Sequence, residues 1–353
     1  LDMVHLTIDG VKVEVQKGST ILEAARKAGS DVPTLCYCEG LKPDGACRIC
    51  VVEVEGAPNL ICSCSTAAGE GMTVYTESPR VVEARRTILS LMWANHSYNC
   101  LTCEKAGSCK LQDYSYRYGL TDEDIKVYEN SKKRQGIDDS GQFFEYDQGK
   151  CILCGKCVRV CSEASVVSAI GRSLRGSVTH LGPPLGKLLT DSECVSCGNC
   201  VSNCPTGALS AKKAEKYREW EVKRTDTTCT YCGVGCQLQL LAKGDRIVGV
   251  EPVNGPSNEG LLCVKGKFGY NFINHADRLK TPLVKKNGRF EEVTWDEALK
   301  LVAGKLSDVR KRSGADAVAG LSSARCTNEE NYLFQKLMRA VVGTNNVDHC
   351  ARL

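Results

Sequence analysis

The chain lacks most of what would place it in a membrane, on nucleic acid or in a secreted fold. No run approaches the roughly 18 apolar residues that a bilayer-spanning helix needs, so no membrane span is expected. Basic and acidic side chains nearly balance, 46 against 42 over 353 residues, which excludes a nucleic-acid footprint. The first residues, Leu1-Asp2-Met3-Val4-His5-Leu6, enter an alternating pattern with no basic region, apolar stretch or twin-arginine leader. Arg85-Arg86 lies inside a helical pattern and is no export signal. Together these absences point to the cytoplasm, and the start on Leu1 reads as a non-ATG start or a trimmed terminus. No Gly-x-Gly-x-x-Gly follows a predicted strand, so a nicotinamide or flavin would need a partner chain to bind it. No Ser-His-Asp or cysteine–histidine nucleophile arrangement is credible either.

Cysteine is what the chain has in abundance. Nineteen of its 23 cysteines, with one histidine, fall into iron–sulfur spacings. In order they are Cys36-x10-Cys47-x2-Cys50-x13-Cys64, then His96-x3-Cys100-x2-Cys103-x5-Cys109. Two ferredoxin runs follow, Cys151-x2-Cys154-x2-Cys157-x3-Cys161 and Cys194-x2-Cys197-x2-Cys200-x3-Cys204. The last set is Cys229-x2-Cys232-x3-Cys236-x26-Cys263. A disulfide framework belongs to small secreted domains without a sufficient core, whereas this chain is 42% hydrophobic and long enough for several cores. Zinc fits paired Cys-x2-Cys knuckles, but Cys-x2-Cys-x2-Cys-x3-Cys is spaced to wrap a cube of iron and sulfide. The sets therefore predict one [2Fe-2S] and four [4Fe-4S] clusters, in a chain that moves electrons.

The surrounding residues predict an α+β multidomain iron–sulfur protein. Over residues 1–78, Val4, Leu6 and Ile8 alternate, Asp9-Gly10 turns, and Val11, Val13 and Val15 alternate back. Thr20-x-x-Glu23 is a capping box that opens a helix ending near Gly29. This hairpin–helix–cysteine-loop order resembles the β-grasp, plant-type ferredoxin fold. Cys38 and Cys62 lie in the same stretch and could compete as ligands. Cys36 and Cys64 are preferred because their spacing matches the family pattern, which leaves the other two as packing residues. Ser78-Pro79 starts a helix that runs to His96. Histidine completes that set because a cube needs four ligands and only three cysteines lie nearby. Residues 79–142 are assigned to this [4Fe-4S] segment of one histidine and three cysteines, within which 112–142 and their tyrosines read as a draped connector.

Residues 143–212 resemble a two-cluster ferredoxin. The resemblance implies that the fourth cysteine of each run serves the other cube. Cys151, Cys154, Cys157 and Cys204 would form one set, and Cys194, Cys197, Cys200 and Cys161 the other. Cys204-Pro205 follows the pattern, but Cys161 is followed by Ser162. Residues 162–193 read as a surface insertion. Over 225–353, strands are expected at Leu238–Leu241 and Ile247–Val250, and helices after the capping boxes Thr294-x-x-Glu297 and Thr327-x-x-Glu330. Cys326 reads as a small packing residue.

Cys229-x2-Cys232-x3-Cys236-x26-Cys263 and Lys265, two residues beyond it, resemble the opening of the catalytic domain of the molybdopterin oxidoreductases. Thr327-Asn328-Glu329-Glu330-Asn331-Tyr332 and the stretch from Gly343 to Leu353 resemble formate dehydrogenase catalytic subunits. The whole order resembles the large subunit of cytoplasmic NAD(P)-linked or electron-bifurcating formate dehydrogenases. That resemblance implies molybdenum or tungsten held by two pyranopterin guanine dinucleotides, interconverting formate and carbon dioxide. Lys265 would carry electrons between the Cys229 cluster and the pterin. The remaining clusters would form a wire through the ferredoxin pair and the His96 cluster to a two-iron docking end. Partners would be flavin- and NAD(P)-binding iron–sulfur subunits, a hydrogenase or a ferredoxin. Cys350 would line the metal site, and the metal-ligating selenocysteine or cysteine is expected just past Leu353, consistent with a translation cut at a recoded stop codon.

Three other classes share modules. The large peripheral subunit of NADH:quinone oxidoreductase shares the first two sites and usually keeps one cluster in the ferredoxin-like region, where both sets are intact here. Iron-only hydrogenases share the modules through residue 212, but the Cys229 set is not the signature of their hydrogen-cluster domain. A stand-alone electron relay is the third.

Overall fold

The computed structural model describes residues 2–128, 136–213 and 215–349. The chain divides into two compact units, Leu1–Val222 and Lys223–Leu353.

The first unit opens with the expected hairpin. β1 (Met3–Ile8) pairs antiparallel with β2 (Val11–Gln16), because Val4, Leu6 and Ile8 all point into one core at the period of two that strands impose. Asp9 and Gly10 both have positive φ, 48° and 85°, as such a two-residue turn requires. Thr20 caps α1 (Ile21–Lys27) reciprocally with Glu23, each side chain bonding the other's backbone N–H at 3.2 and 2.6 Å, worth about 1 kcal/mol. α1 packs buried Ile21, Leu22, Ala24 and Ala25 on the sheet. The sheet is completed by β3 (Val51–Val54), β4 (Ile61–Cys62) and β5 (Thr73–Tyr75) in the order β2-β1-β5-β3-β4. The cysteine loop lies between α1 and β3.

Ser78 accepts from Val81 N, and α2 (Pro79–Trp93) follows, ending slightly before His96. α3 (Lys110–Arg117) and α4 (Asp122–Lys126) come next. Residues 112–142 read as a connector draped over neighbouring modules, and Tyr114 and Tyr118 pack against one of those modules. Leu111 and Tyr118 are buried, and the Tyr114 hydroxyl lies 3.1 Å from Thr34 N as its acceptor. Arg85 of α2 is fully buried and donates to Glu77, to the Tyr118 hydroxyl and to Val51 O at 2.8, 2.7 and 2.9 Å.

β6 (Ile137–Asp138) and β7 (Phe144–Asp147) begin the ferredoxin-like part; α5 (Lys156–Arg159), β8 (Gly171–Ser173), β9 (His180–Gly182), α6 (Asn199–Asn203) and β10 (Leu209–Ala211) follow. The two cysteine runs are folded as a repeat. Leu153 and Ser196, each just before a second cysteine, have φ of 56° and 53°, and the glycines at 155 and 198 that cap the helices have 71° and 79°. The repeat breaks where the sequence does. Pro205 disfavours helix at the residue before it, so Cys204 is extended (ψ 120°) and α6 stops. Ser162 imposes no such stop, and α5 runs on through a π-type turn, Val160–Ala164.

The second unit contains an antiparallel sheet of β11 (Lys223–Thr228), β12 (Gln237–Lys243) and β13 (Arg246–Pro252), followed by α7 (Val264–Phe268). After the hairpin of β14 (Leu283–Lys286) and β15 (Arg289–Glu292) comes the Thr294-capped helix α8 (Trp295–Ser313). β16 (Gly320–Ser322), α9 (Asn328–Lys336) and β17 (Val347–His349) close the unit, with β16 parallel to β17. Both expected capping boxes, at Thr294 and Thr327, are formed. Among the described residues no helix is long and apolar enough to cross a membrane.

Candidate metal centres

Every described cysteine is free of disulfides, and most of those in the predicted sets crowd into shared sites. In the loop before β3, Cys36 N donates to Cys47 Sγ at 3.4 Å. Hydrogen bonds from Cys47 and Cys64 pull the pKa of the Cys36 thiol well down. Cys62 and Cys64 do the same for Cys50. Cys64 thus links Cys36 to Cys50, as the fourth member of a cluster must, whereas Cys62 reaches Cys50 and Arg48. Buried thiolates packed together need a compensating cation, and an iron–sulfide core supplies it; this donor set fits one.

His96 is 5% exposed, and its ring meets that of Trp93 edge-on at 5.0 Å. Cys100, Cys103 and Cys109 interact electrostatically with one another, and burial raises the pKa of Cys100 and Cys109. The chain around Gly207 approaches this site so closely that a Cβ there would lie 2.7 Å from Cys103 Sγ. Only glycine fits, which joins the end of the second ferredoxin run to the loop of the His96 set.

In the ferredoxin-like part, Cys151, Cys154, Cys157 and Cys204 line a single cavity with Tyr146. Burial pushes the Cys154 thiol up to about 12. The buried Cys200 faces Cys197, Cys194 and Cys161, and burial pushes its pKa well up. Fourth cysteines therefore sit across from the other run's first three. Backbone N–H groups of Leu153, Ser196 and Ala169 approach the sulfurs of Cys151, Cys194 and Cys161 at 3.4, 3.4 and 3.3 Å. Such donors favour thiolate, and metal loading would remove the protons that burial holds in place. The two sites differ in depth: Cys151, Cys154 and Cys157 are buried, while Cys161, Cys194 and Cys197 are partly exposed.

Cys36, Cys47, Cys109 and Cys154 all belong to one apolar core with Leu35, Ile49 and Trp93. The two-iron loop thus packs against the ferredoxin-like site as well as against the His96 site. Arg159 and Arg48, which spacing could not single out, touch this region: Arg159 donates to Cys36 O, and Arg48 Nη1 lies 3.2 Å from Cys62 Sγ.

In the second unit, Cys229 N donates to Cys236 O at 2.8 Å, and Cys229, Cys232, Cys236 and Cys263 interact electrostatically. Cys232 and Cys263 are exposed. Lys265 lies on α7 with an exposed side chain. Lys267 is the buried lysine there, bonded to Glu251 and to Val250 O, both at 2.7 Å. A cavity of about 410 Å3 is lined by Gly233 of the ligand loop, Ser322, Cys326, Asn331, Asp348 and His349. Cys326, expected to be a packing residue, faces this cavity. Cys350 lies outside the described residues. Among the described residues no three His, Cys, Asp or Glu side chains converge as ligands of a single ion would. A four-iron cube gives each ligand its own iron, so its ligands surround a volume instead of a point.

Family comparisons agree module by module. Residues 2–79 match a 2Fe-2S iron-sulfur cluster binding domain, 85–124 the NADH-ubiquinone oxidoreductase-G iron-sulfur binding region, and 141–210 the ferredoxin-like domain of NADH-quinone oxidoreductase subunit 3. Residues 222–275 match the molybdopterin oxidoreductase Fe4S4 domain, and 278–353 the molybdopterin oxidoreductase model itself. The alpha subunit of an NADPH-Fe(3+) oxidoreductase from Geobacter sulfurreducens is 40% identical over 99% of this chain and 40% of its own length. A G-type subunit of NADH-quinone oxidoreductase from Rhizobium meliloti is 38% identical over 99% of this chain and 40% of its own. A provisionally named formate dehydrogenase of Staphylococcus aureus is 35% identical over 98% of this chain and 39% of its own. The chain thus spans about 40% of the length of these curated relatives. A crystal structure of an NAD+-reducing [NiFe]-hydrogenase includes a chain 32% identical, with a TM-score of 0.56, covering 61% of this chain and 89% of that one.

Proposed function

The chain belongs to the molybdopterin oxidoreductase family, with modules like those of the G-type subunits of NADH-quinone oxidoreductase, and we propose that it is the iron–sulfur and partial catalytic portion of a formate dehydrogenase. Its modules would be residues 1–78, 79–142, 143–212 and 225–353. Cys36, Cys47, Cys50 and Cys64 would hold a [2Fe-2S] cluster. Four [4Fe-4S] clusters would be held by the His96 set, the two crossed ferredoxin sets and the Cys229 set. The clusters would supply single-electron carriage, and a molybdenum or tungsten bis-pyranopterin the two-electron chemistry of formate. Lys265 would hold an ammonium between the Cys229 set and an anionic pterin. The observation that carries this reading is the continuous core joining Cys36, Cys47, Cys109 and Cys154. It packs members of three donor sets into one apolar core, which shortens the path an electron would take between them. Flavin- and NAD(P)-binding iron–sulfur subunits, a ferredoxin or a hydrogenase would be the partners, in the cytoplasm.

The test is metal analysis with formate-dependent viologen reduction on the native complex. Molybdenum or tungsten with formate activity is expected. Absence of both metals together with absence of formate activity overturns the formate reading. A second reading, an electron relay without formate chemistry, draws support from the higher identity to the Geobacter alpha subunit than to the Staphylococcus protein. That second outcome would leave it standing.

A further inference from the structure

The two-iron loop holds one more buried thiol than a two-iron cluster uses. Four side chains fill the ligand positions of such a cluster, and the proposed function gives those positions to Cys36, Cys47, Cys50 and Cys64; the inference rests on that reading. Cys62 is the fifth. It is 7% exposed, lies in β4 opposite Val51, and its thiol reaches Cys50, the sulfur that Cys64 also touches. Arg48 Nη1 stands 3.2 Å from Cys62 Sγ. Arg48 itself is left-handed, with φ of 60°, which is uncommon outside glycine. The guanidinium is thereby aimed at the buried sulfur of this loop that the four ligand positions leave over.

We propose that Cys62 is a reserve ligand of the two-iron site, able to take the place of Cys64 beside Cys50. In the exchange the iron–sulfur bond to Cys64 breaks and one to Cys62 forms. Cys62 gives up its proton, Cys64 takes one, and no electrons move. Cys38 is not such a ligand, because its sulfur is turned to Asn203 Oδ1 at 3.3 Å.

The experiment uses the full chain, loaded anaerobically with ferrous iron and sulfide and followed by the EPR signal of the reduced two-iron cluster. Cys64→Ala is expected to keep about half of that signal or more, and Cys62→Ala/Cys64→Ala to lose it about tenfold. Cys62→Ala alone keeps the full signal, and Cys38→Ala/Cys64→Ala behaves as Cys64→Ala. Four-iron signals from the other modules report folding in each variant. Cys64→Ser, which preserves side-chain size, is the second variant: sulfur-only ligation in its resonance Raman spectrum supports Cys62, and oxygen ligation overturns the proposal. It is also overturned if Cys64→Ala is as empty as the Cys62 double variant while four-iron signals persist, or if only the Cys38 double variant loses the cluster. A wild-type chain without a two-iron signal would instead sink the underlying assignment, so the two failures are distinguishable.

Discussion

Arg159, which sits between Cys157 and Cys161 at the end of α5, donates hydrogen bonds to the backbone carbonyls of Cys36 and Lys42. One guanidinium therefore ties the ferredoxin-like ligand helix to the two-iron ligand loop across more than a hundred residues of sequence. Arg159 is 8% exposed, so Arg159→Leu leaves two carbonyls without their charged donor. The expected cost is about 3 kcal/mol in denaturant melts. Arg159→Lys recovers only part of it, since an ammonium lacks the fork that reaches both oxygens.

At the His96 site, His96→Ala should lower the iron content by about four atoms per chain, the loss of one cube. His96→Cys should keep the iron and lower the reduction potential of that cluster, because imidazole ligation raises it relative to thiolate. Iron assay and potentiometric EPR read the two outcomes separately. An unchanged iron count in His96→Ala would remove histidine from the ligand set.

The crossed fourth ligands make opposite predictions for two variants. Cys204→Ala should damage the cube of Cys151, Cys154 and Cys157, and Cys161→Ala that of Cys194, Cys197 and Cys200. In the wild type, an iron chelator should bleach the second cube faster, since three of its four cysteines are partly exposed. Cys161→Ala should abolish the phase of that cube, which follows the phase of the more exposed Cys229 set, and Cys204→Ala should preserve it. The reverse assignment of phases would show that each run keeps its own fourth cysteine.

Tyr146 presents a buried hydroxyl to the Cys151 sulfur. Burial first, and the neighbouring Cys151 sulfur second, push its pKa well up, so it stays a neutral O–H donor beside the buried cube. Hydrogen bonds to the sulfurs are among the factors that set a cluster's potential. Tyr146→Phe should therefore lower the potential of the Cys151 cube and leave the Cys194 cube unchanged, as potentiometric titration would show.

Tyr118 accepts from buried Arg85, and burial raises its pKa to about 12. An unfolded tyrosine ionises near pH 10, so between about 10 and 12 the unfolded chain loses a proton that the folded chain keeps. Stability should fall as pH rises through that window. Tyr118→Phe should flatten this part of the stability-versus-pH curve, measured as the difference between the two proteins. Arg85→Ala should cost about 3–5 kcal/mol, because it strands the groups that a buried guanidinium satisfies.

What sequence made legible was local. Capping boxes at Thr20, Thr294 and Thr327 depend on residues three apart, and cysteine spacings are short-range geometry, so both can be read along the chain. Tyr114 and Tyr118 were visible as aromatics, but their burial depends on Thr34 and Arg85, far away in sequence. Arg48 and Arg159 look like ordinary surface arginines until the fold brings them to Cys62 and Cys36. Cys326 carries no spacing signal, and only the arrangement of β16, α9 and β17 puts it beside the cavity. Pro205 against Ser162 was legible as a departure, though its structural result, a stopped helix against a π-type turn, was not.

The difference in depth between the two ligand sets has a consequence for survival in air. Cys161, Cys194 and Cys197 are partly open to water, whereas Cys151, Cys154 and Cys157 are buried. An oxidant diffusing in from solvent reaches Cys161, Cys194 and Cys197 before it reaches Cys151, Cys154 and Cys157. The outer half of the repeat is thus where corrosion begins, and the inner half is what remains for repair to build on.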